Sequence, residues 1–380
     1  MDSRNIVVIG AGLAAITLVR ELRKRDTETG VTLITADDGH FYSKPMLSNG
    51  LAAGKTAANL VMTERDALAS QLKITILHGT RVTGVNVEAH EVITTQGVID
   101  YGRLVLALGA QPIRLPLTGN GADDVLSINH LDDYGRYRQQ LSGKRRVALL
   151  GAGLIGCEFA NDLRVGGYEV DVFDIAPQPL GRLLPAEAAT VYRQALEAAG
   201  VRFHFGASVQ RVDRVASVYR LTDNAGAVTE VDLVVSAVGL RPETALAAAA
   251  GLSVNRGIVT DASLHTSDGD IYALGDCAEV AGQVLPFVMP IMHQAKALAA
   301  TLTGSPTDVV YPTMPVVVKT PACPAVVCPP APGVQGQWQV VTTPGNAEAL
   351  YLTDAGNLAG FALVGNEAAK GRQGLVARMG

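Results

Sequence analysis

The stretch Asn5–Leu22, NIVVIGAGLAAITLVREL, constrains the fold of this chain more than any other. A short apolar run, Ile6–Ile9, ends at Gly10-Ala11-Gly12 and passes directly into a helix-periodic segment that opens with Leu13 and Ala14. That order predicts a strand, a tight glycine turn and a helix N-terminus. Such a geometry turns backbone N–H groups and the positive end of the helix toward a pyrophosphate. Gly10 permits the turn, and Gly12 lets the backbone come close to the phosphate. Ala15 stands where the third glycine of the fingerprint lets helix and strand pack closely.

The same stretch recurs. In Val147–Leu163, VALLGAGLIGCEFANDL, Gly151-Ala152-Gly153-Leu154 repeats Gly10-Ala11-Gly12-Leu13 at an offset of 141 residues, and Gly156 completes the glycine set. Two such turns in one chain predict two bound dinucleotides. Each is followed by a second strand, after which an acid takes the ribose hydroxyls of the adenosine half. After Val31–Thr35 the candidate is Asp37, with backbone groups of Thr35 and Ala36 as the alternative contacts. After Val170–Phe173 it is Asp174, which repels a 2′-phosphate and so favours NAD(H) over NADP(H). Arg182, further on, softens that exclusion.

Between and beyond the fingerprints, the chain carries the marks of a fold that leaves one domain and returns. Leu104–Pro112 and Leu233–Pro242 are strands ending in the same Ala-x-Gly-x-x-Pro pattern, through Ala107, Gly109 and Pro112, then Ala237, Gly239 and Pro242. Residues 74–108 read as short β-branched runs in a β-meander. Lys44 precedes Pro45, which biases it to an extended backbone. In TSDGDIYALGDCAEV, residues 266–280, a short strand leads to Gly275 and Asp276, whose carboxylate suits polyol hydroxyls. Pro290 lies in the first turn of an Ala-rich helix over about residues 290–303. From about residue 310 a proline-rich stretch and further strands, the last being Leu358–Val364, form a small α+β unit without a nucleotide motif.

At 380 residues the chain is too long for one core, and its composition is that of an α/β protein. Its formal charge of −5 argues against nucleic acid as a partner. No apolar run approaches the roughly 20 residues of a membrane span. The four cysteines, Cys157, Cys277, Cys323 and Cys328, form no Cys-x-x-Cys pair, so a disulfide scaffold or metal site is not expected and a cytoplasmic location fits. No cysteine lies in residues 36–60 and no histidine follows His293, which argues against thiol–disulfide redox chemistry.

The ordered set of GxGxxA, strand–GxGxxG–Asp, paired Ala-x-Gly-x-x-Pro crossovers and IYALGDC resembles the two-dinucleotide pyridine nucleotide–flavin reductases. The resemblance implies an α/β fold with two Rossmann-like dinucleotide-binding domains and a small C-terminal α+β domain. It divides the chain into an FAD domain (1–112 and 242–308), an NAD domain (113–241) and a C-terminal domain (309–380). It places Gly10, Ala11, Gly12, Leu13, Ala14, Thr35 and Ala36 at the adenosine half of FAD, and Val82 at the adenine. Lys44 and Glu158 fall beside the isoalloxazine, Asp276 on the ribitol, and Val288 and Lys319 near the pyrimidine side of the ring. Gly151, Gly153, Gly156 and Asp174 serve NAD(H). Lys44 is expected to pair with Glu158 and, with Lys319, to tune the flavin. The segments YSKPMLS, GLIGCEFANDL, AGLSVNRGIVTD and ALGDCAEV are most similar to family members whose partner is rubredoxin. They are nearly as similar to members serving flavorubredoxin. Ferredoxin-type members carry a lysine where Asn49 stands. The implied activity is electron transfer from NADH through FAD to a one-electron iron carrier. Flavorubredoxin or ferredoxin reduction, and a slow flavin redox sensor, are the alternatives. A monomer or a homodimer is expected.

Overall fold

Short β-branched and leucine-rich runs, most deeply buried in the central strands, build two parallel sheets of five strands each. The structure is a computed structural model and describes residues 5–379. Contacts divide it into two compact units. One comprises residues 5–44, Asn59–Gln111 and Leu240–Tyr311; the other comprises Pro45–Ala58, Pro112–Gly239 and residues 312–379.

In the first unit the parallel sheet runs Ile271–Ala273, Arg103–Leu106, Ile6–Ile9, Val31–Ile34 and Thr75–Leu77. Ile6–Ile9 is central and near-continuously apolar, as a strand covered on both faces must be. Helix Leu13–Arg23 buries Ile16, Leu18, Val19 and Leu22 and packs against helix Val288–Leu302. Only Val82–Asn86, Glu91–Thr94 and Gly97–Asp100 form the meander. The runs flanking it, read above as part of it, belong to the parallel sheet. The period-2 pattern of a short apolar run does not say which sheet it joins.

The second unit repeats the plan with strands Leu126–Ser127, Leu233–Ser236, Arg146–Leu150, Glu169–Asp174 and Val201–Phe205. Its C-terminal portion is an antiparallel sheet ordered Val316–Val318, Ala325–Cys328, Leu358–Val364, Asn346–Thr353 and Gly336–Thr343. Helix Ala186–Ala198 packs on that sheet. The terminal helix Arg372–Met379 contributes Leu375, Val376 and Met379 to an apolar cluster with Val326, Phe361 and Leu363.

Lys44 departs from expectation. It opens a 3₁₀ helix, Lys44–Asn49, in place of an extended run. The preference imposed by Pro45 is overridden where the chain leaves the first unit and enters the second.

Candidate functional site

The two glycine turns share one stereochemistry. Gly10 has φ +116° and Gly151 φ +108°. A Cβ on Gly10 would lie 2.3 Å from the carbonyl oxygen of Ala107, and one on Gly151 would lie 2.6 Å from that of Ala237. The alanine of each crossover pattern is thus the backbone against which the first glycine is pressed. Gly12 and Gly153 take nearly identical extended conformations, with ψ −171° in both, and cap their helices with no side chain. A Cβ at either would meet no atom within 4 Å. Open space therefore faces helix N-termini whose first N–H groups have no intrahelical acceptor. This geometry suits a pyrophosphate, and the chain builds it twice.

The third position differs. A Cβ on Gly156 would come 1.9 Å from the carbonyl oxygen of Gly151, so no larger residue fits. In the first unit Ala15 is accommodated there, fully buried.

Strand register separates the two cradles further. The N–H of Gly10 donates to Ile34 O, and that of Gly151 to Phe173 O. Thr35 in the first unit therefore occupies the position that Asp174 has in the second. The Asp174 carboxylate accepts the N–H of Ala152 at 2.5 Å and that of Ala176 at 2.7 Å, which fixes it beside the glycine turn. Thr35 is buried and held by backbone bonds to Leu77 and Thr80, while Asp37 stands two residues farther on, exposed. Val82 packs partly buried against the core of the first unit.

Ala14 forms one wall of the first cradle. A Cβ on Gly275 would lie 2.8 Å from the Ala14 Cβ, so the IYALGD turn abuts the fingerprint helix. Gln294, buried and unremarked in the sequence, orients this turn by accepting the Gly275 N–H at 2.7 Å while donating to the Tyr311 hydroxyl at 2.8 Å. Burial pushes the Asp276 carboxyl above its ordinary value, against the pull of the Lys44 charge. Val288 is the first residue of its helix and is exposed.

In the second unit, helix Leu154–Val165 carries polar side chains on a buried face. Glu158, with no exposed surface, accepts the Ser48 hydroxyl at 2.5 Å and the Lys319 N–H at 2.8 Å, and its Oε2 lies 3.0 Å from the Lys319 Nζ. The ammonium also donates to Pro45 O and to Asn49 Oδ1. Lys319 is thus the cationic partner of Glu158 within its unit, whereas Lys44 belongs to the other unit. Asn49, where ferredoxin-type members were expected to differ, completes the Lys319 shell and donates back to the Lys319 carbonyl at 2.9 Å. One turn on, Asn161 accepts the Ala322 N–H, and Asp162 accepts the N–H groups of Leu51 and Ala52 at 3.0 and 2.8 Å. The spacing of Glu158, Asn161 and Asp162 at i, i+3 and i+4 marks one polar face of this helix in the sequence, though not the partners that meet it.

The thiols are inert. All four are buried, and burial pushes Cys157 and Cys277 up to about 12 and Cys323 to about 11. Among the described residues no group of His, Cys, Asp and Glu is arranged to hold a metal, and no helix is long and apolar enough to cross a membrane.

Residues 4–300 match the family model described as pyridine nucleotide-disulphide oxidoreductase, and residues 308–379 match the rubredoxin binding C-terminal domain. The chain is 48% identical over 363 residues to a rubredoxin–NAD(+) reductase of Alcanivorax borkumensis, covering 95% of this chain and 94% of that one. It is 42% identical over 366 residues to a nitric oxide reductase FlRd–NAD(+) reductase of Aeromonas hydrophila, covering 96% and 94%. Among solved structures, a ferredoxin reductase of Rhodopseudomonas palustris superposes with a TM-score of 0.88 at 28% identity, covering 97% of this chain and 93% of that chain.

Proposed function

We propose how this site works from the premise that the chain belongs to the pyridine nucleotide-disulphide oxidoreductase family. It is an NADH-dependent flavoprotein reductase whose electron acceptor is a small iron carrier of the rubredoxin type. Bound FAD supplies the conversion of a two-electron hydride transfer into single-electron release, which no side chain performs. The residues of this chain bind, orient and set the electrostatic field.

The observation that carries the assignment of the two cradles is the difference at the second strand end. Asp174, fixed on the Ala152 N–H, accepts ribose hydroxyls and opposes a 2′-phosphate, so the cradle of Gly151, Gly153 and Gly156 takes NADH. The cradle of Gly10 to Ala14, with Thr35 and Ala36 at the adenosine and Val82 at the adenine, takes FAD. Asp37 is the less favoured ribose contact, since it lies beyond the strand end. Asp276, raised by burial, fits a ribitol hydroxyl. Lys319, clasped by Glu158, and Lys44 supply positive charge that offsets the negative charge gained on reduction. Val288 opens its helix, and the dipole of that N-terminus would favour negative charge on a reduced flavin. Inert thiols support one-electron carriers over disulfides as acceptors, and with them a cytoplasmic location.

A second reading, flavorubredoxin as the acceptor, draws on the 42% identical relative. The test is stopped-flow reoxidation of the NADH-reduced protein by rubredoxin, flavorubredoxin and ferredoxin in parallel. Rubredoxin is expected to be fastest. Uniformly slow reoxidation by all three would sink the reductase reading in favour of a flavin sensor.

A further inference from the structure

Residues 45–58 form a strap. The chain leaves the first unit after Lys44, lies on the second through Pro45–Ala58, and re-enters the first at Asn59. Three anchors on the second unit hold it. Ser48 is bound to Glu158, Leu51 and Ala52 to Asp162, and the carbonyl of Lys55 to the Tyr134 hydroxyl at 2.9 Å and to Arg138. Leu51 also packs on the end of the same helix, its side chain 2.9 Å from where a Cβ on Gly166 would stand. Glu158, Asp162 and Gly166 are spaced at i, i+4 and i+8, a single stripe on one helix.

Asp162 is the middle anchor, and nothing in the proposed chemistry uses it. It has no exposed surface. Its two oxygens accept two consecutive backbone N–H groups, an arrangement that one carboxylate satisfies and that a carboxamide satisfies only by half. Arg138 and Lys319 are the cations that face it, and Tyr134 and Tyr137 are the neighbouring phenols. Burial raises the carboxyl against the pull of these bonds and charges, so the fold keeps an acid here at a cost.

The 3₁₀ helix Lys44–Asn49 ends two residues before Leu51. It carries Lys44 at its start, and within it Pro45, Ser48 and Asn49 contact Lys319. We propose that Asp162 is a positioning residue of the flavin site, which holds the strap at Leu51 and Ala52 and thereby fixes the turn that presents Lys44, Ser48 and Asn49. The proposal rests on the reading of Lys44 and Lys319 as flavin-tuning groups.

The test uses the FAD-loaded protein. Backbone hydrogen exchange of peptides spanning residues 45–58 is followed in the wild type, Asp162→Ala and Asp162→Asn, together with the flavin midpoint potential and the rate of flavin reduction by NADH. Asp162→Ala leaves two N–H groups without acceptors, so exchange in the strap should accelerate about tenfold or more. Asp162→Asn keeps one acceptor and should fall between the two. The flavin potential should move and the reduction rate should fall about fivefold or more in Asp162→Ala, with KM for NADH within about twofold, as for a group acting after binding. Should Asp162→Ala fail to fold, Asp162→Asn and Tyr134→Phe, which weakens the Lys55 anchor, carry the same comparison. Wild-type exchange in the strap of these variants, or a loosened strap with unchanged potential and rate, overturns the proposal. A parallel Lys44→Ala variant separates the two failures. If it shifts the potential while loosening of the strap does not, the positioning role of Asp162 is wrong. If neither it nor Lys319→Ala shifts the potential, the reading of the lysines is wrong and the proposal falls with it.

Discussion

Asp174 and Gly156 each owe their identity to one measurable contact. The Asp174 carboxylate is fixed by the Ala152 and Ala176 N–H groups before any ligand arrives. Asp174→Ala should reduce kcat/KM for NADH by about 10- to 100-fold, the worth of charge-assisted bonds at one to three kcal/mol. It should leave the value for NADPH unchanged or higher. Steady-state kinetics with both nucleotides would check this, and an unaltered NADH to NADPH ratio would count against the assignment. Gly156→Ala places a Cβ on the Gly151 carbonyl and should lower stability by about 2 kcal/mol or more through forced backbone movement. The reciprocal Ala15→Gly costs only the propensity difference, about 1 kcal/mol. Urea denaturation of the pair distinguishes a steric demand from a generic preference for small residues.

The Asp162 carboxyl adds a pH dependence at the same scale. Burial raises it from an ordinary 3.8 to about 6 in the folded chain, so the folded state binds this proton more tightly than the unfolded one. Its contribution to stability is fully present below about pH 4 and is lost as pH rises through about 6, an effect of about 3 kcal/mol. Asp162→Asn abolishes the titration. The difference between the wild-type and variant unfolding free energies should therefore change by about that amount from pH 4 to pH 8, and a constant difference would show that the group does not titrate in this window.

At the scale of elements, helix Leu154–Val165 has two tasks that are usually divided. Its N-terminus, capped by Gly153 alone, faces the cradle proposed for NADH, and its buried flank holds the strap and the Lys319–Ala322 turn through Glu158, Asn161 and Asp162. Glu158 is the keystone of that flank because it binds the backbone and the ammonium of Lys319 at once. Glu158→Gln keeps the shape but removes the charge facing a half-buried lysine. It should destabilise the protein by about 3 kcal/mol, the cost of stranding one partner of a buried pair. Lys319→Met in the Glu158→Gln background should recover much of the loss. Chemical denaturation of the single and double variants tests the coupling, and additive losses would mean that the two residues act separately.

At the scale of the molecule, what the residues disclosed and what they withheld have physical reasons. The two parallel sheets were legible because strand, glycine turn and helix are local patterns, and because each first glycine answers to a carbonyl, of Ala107 or Ala237, that itself sits in a repeated motif. Thr35 and Asp37 were harder to separate, since only the pairing of Gly10 with Ile34 says which residue stands level with the turn. The strap was not legible. Its partners lie about 110 residues away in the chain, and no local periodicity encodes a carboxylate meeting two distant backbone N–H groups. Gln294 escaped although its partners, Gly275 and Tyr311, are near in sequence, because no local pattern marks a helix glutamine that bonds a turn before it and a hydroxyl after it.

The cysteines are the one absence in the sequence that became a positive structural statement. A family described by disulphide chemistry leads one to expect a thiolate at the flavin, yet each thiol here is buried, and burial raises Cys157 and Cys277 to about 12. At pH 8 a thiol with that value is ionised to about one part in ten thousand, and it lacks access to reagents as well. The native protein should therefore react with a thiol-specific chromogenic reagent at fewer than one equivalent over minutes, and with four after denaturation. NADH-dependent reduction of the carrier should survive prolonged alkylation with iodoacetamide undiminished. Rapid labelling of even one native thiol, with activity lost in step, would return the chain to the thiol-using branch of its family.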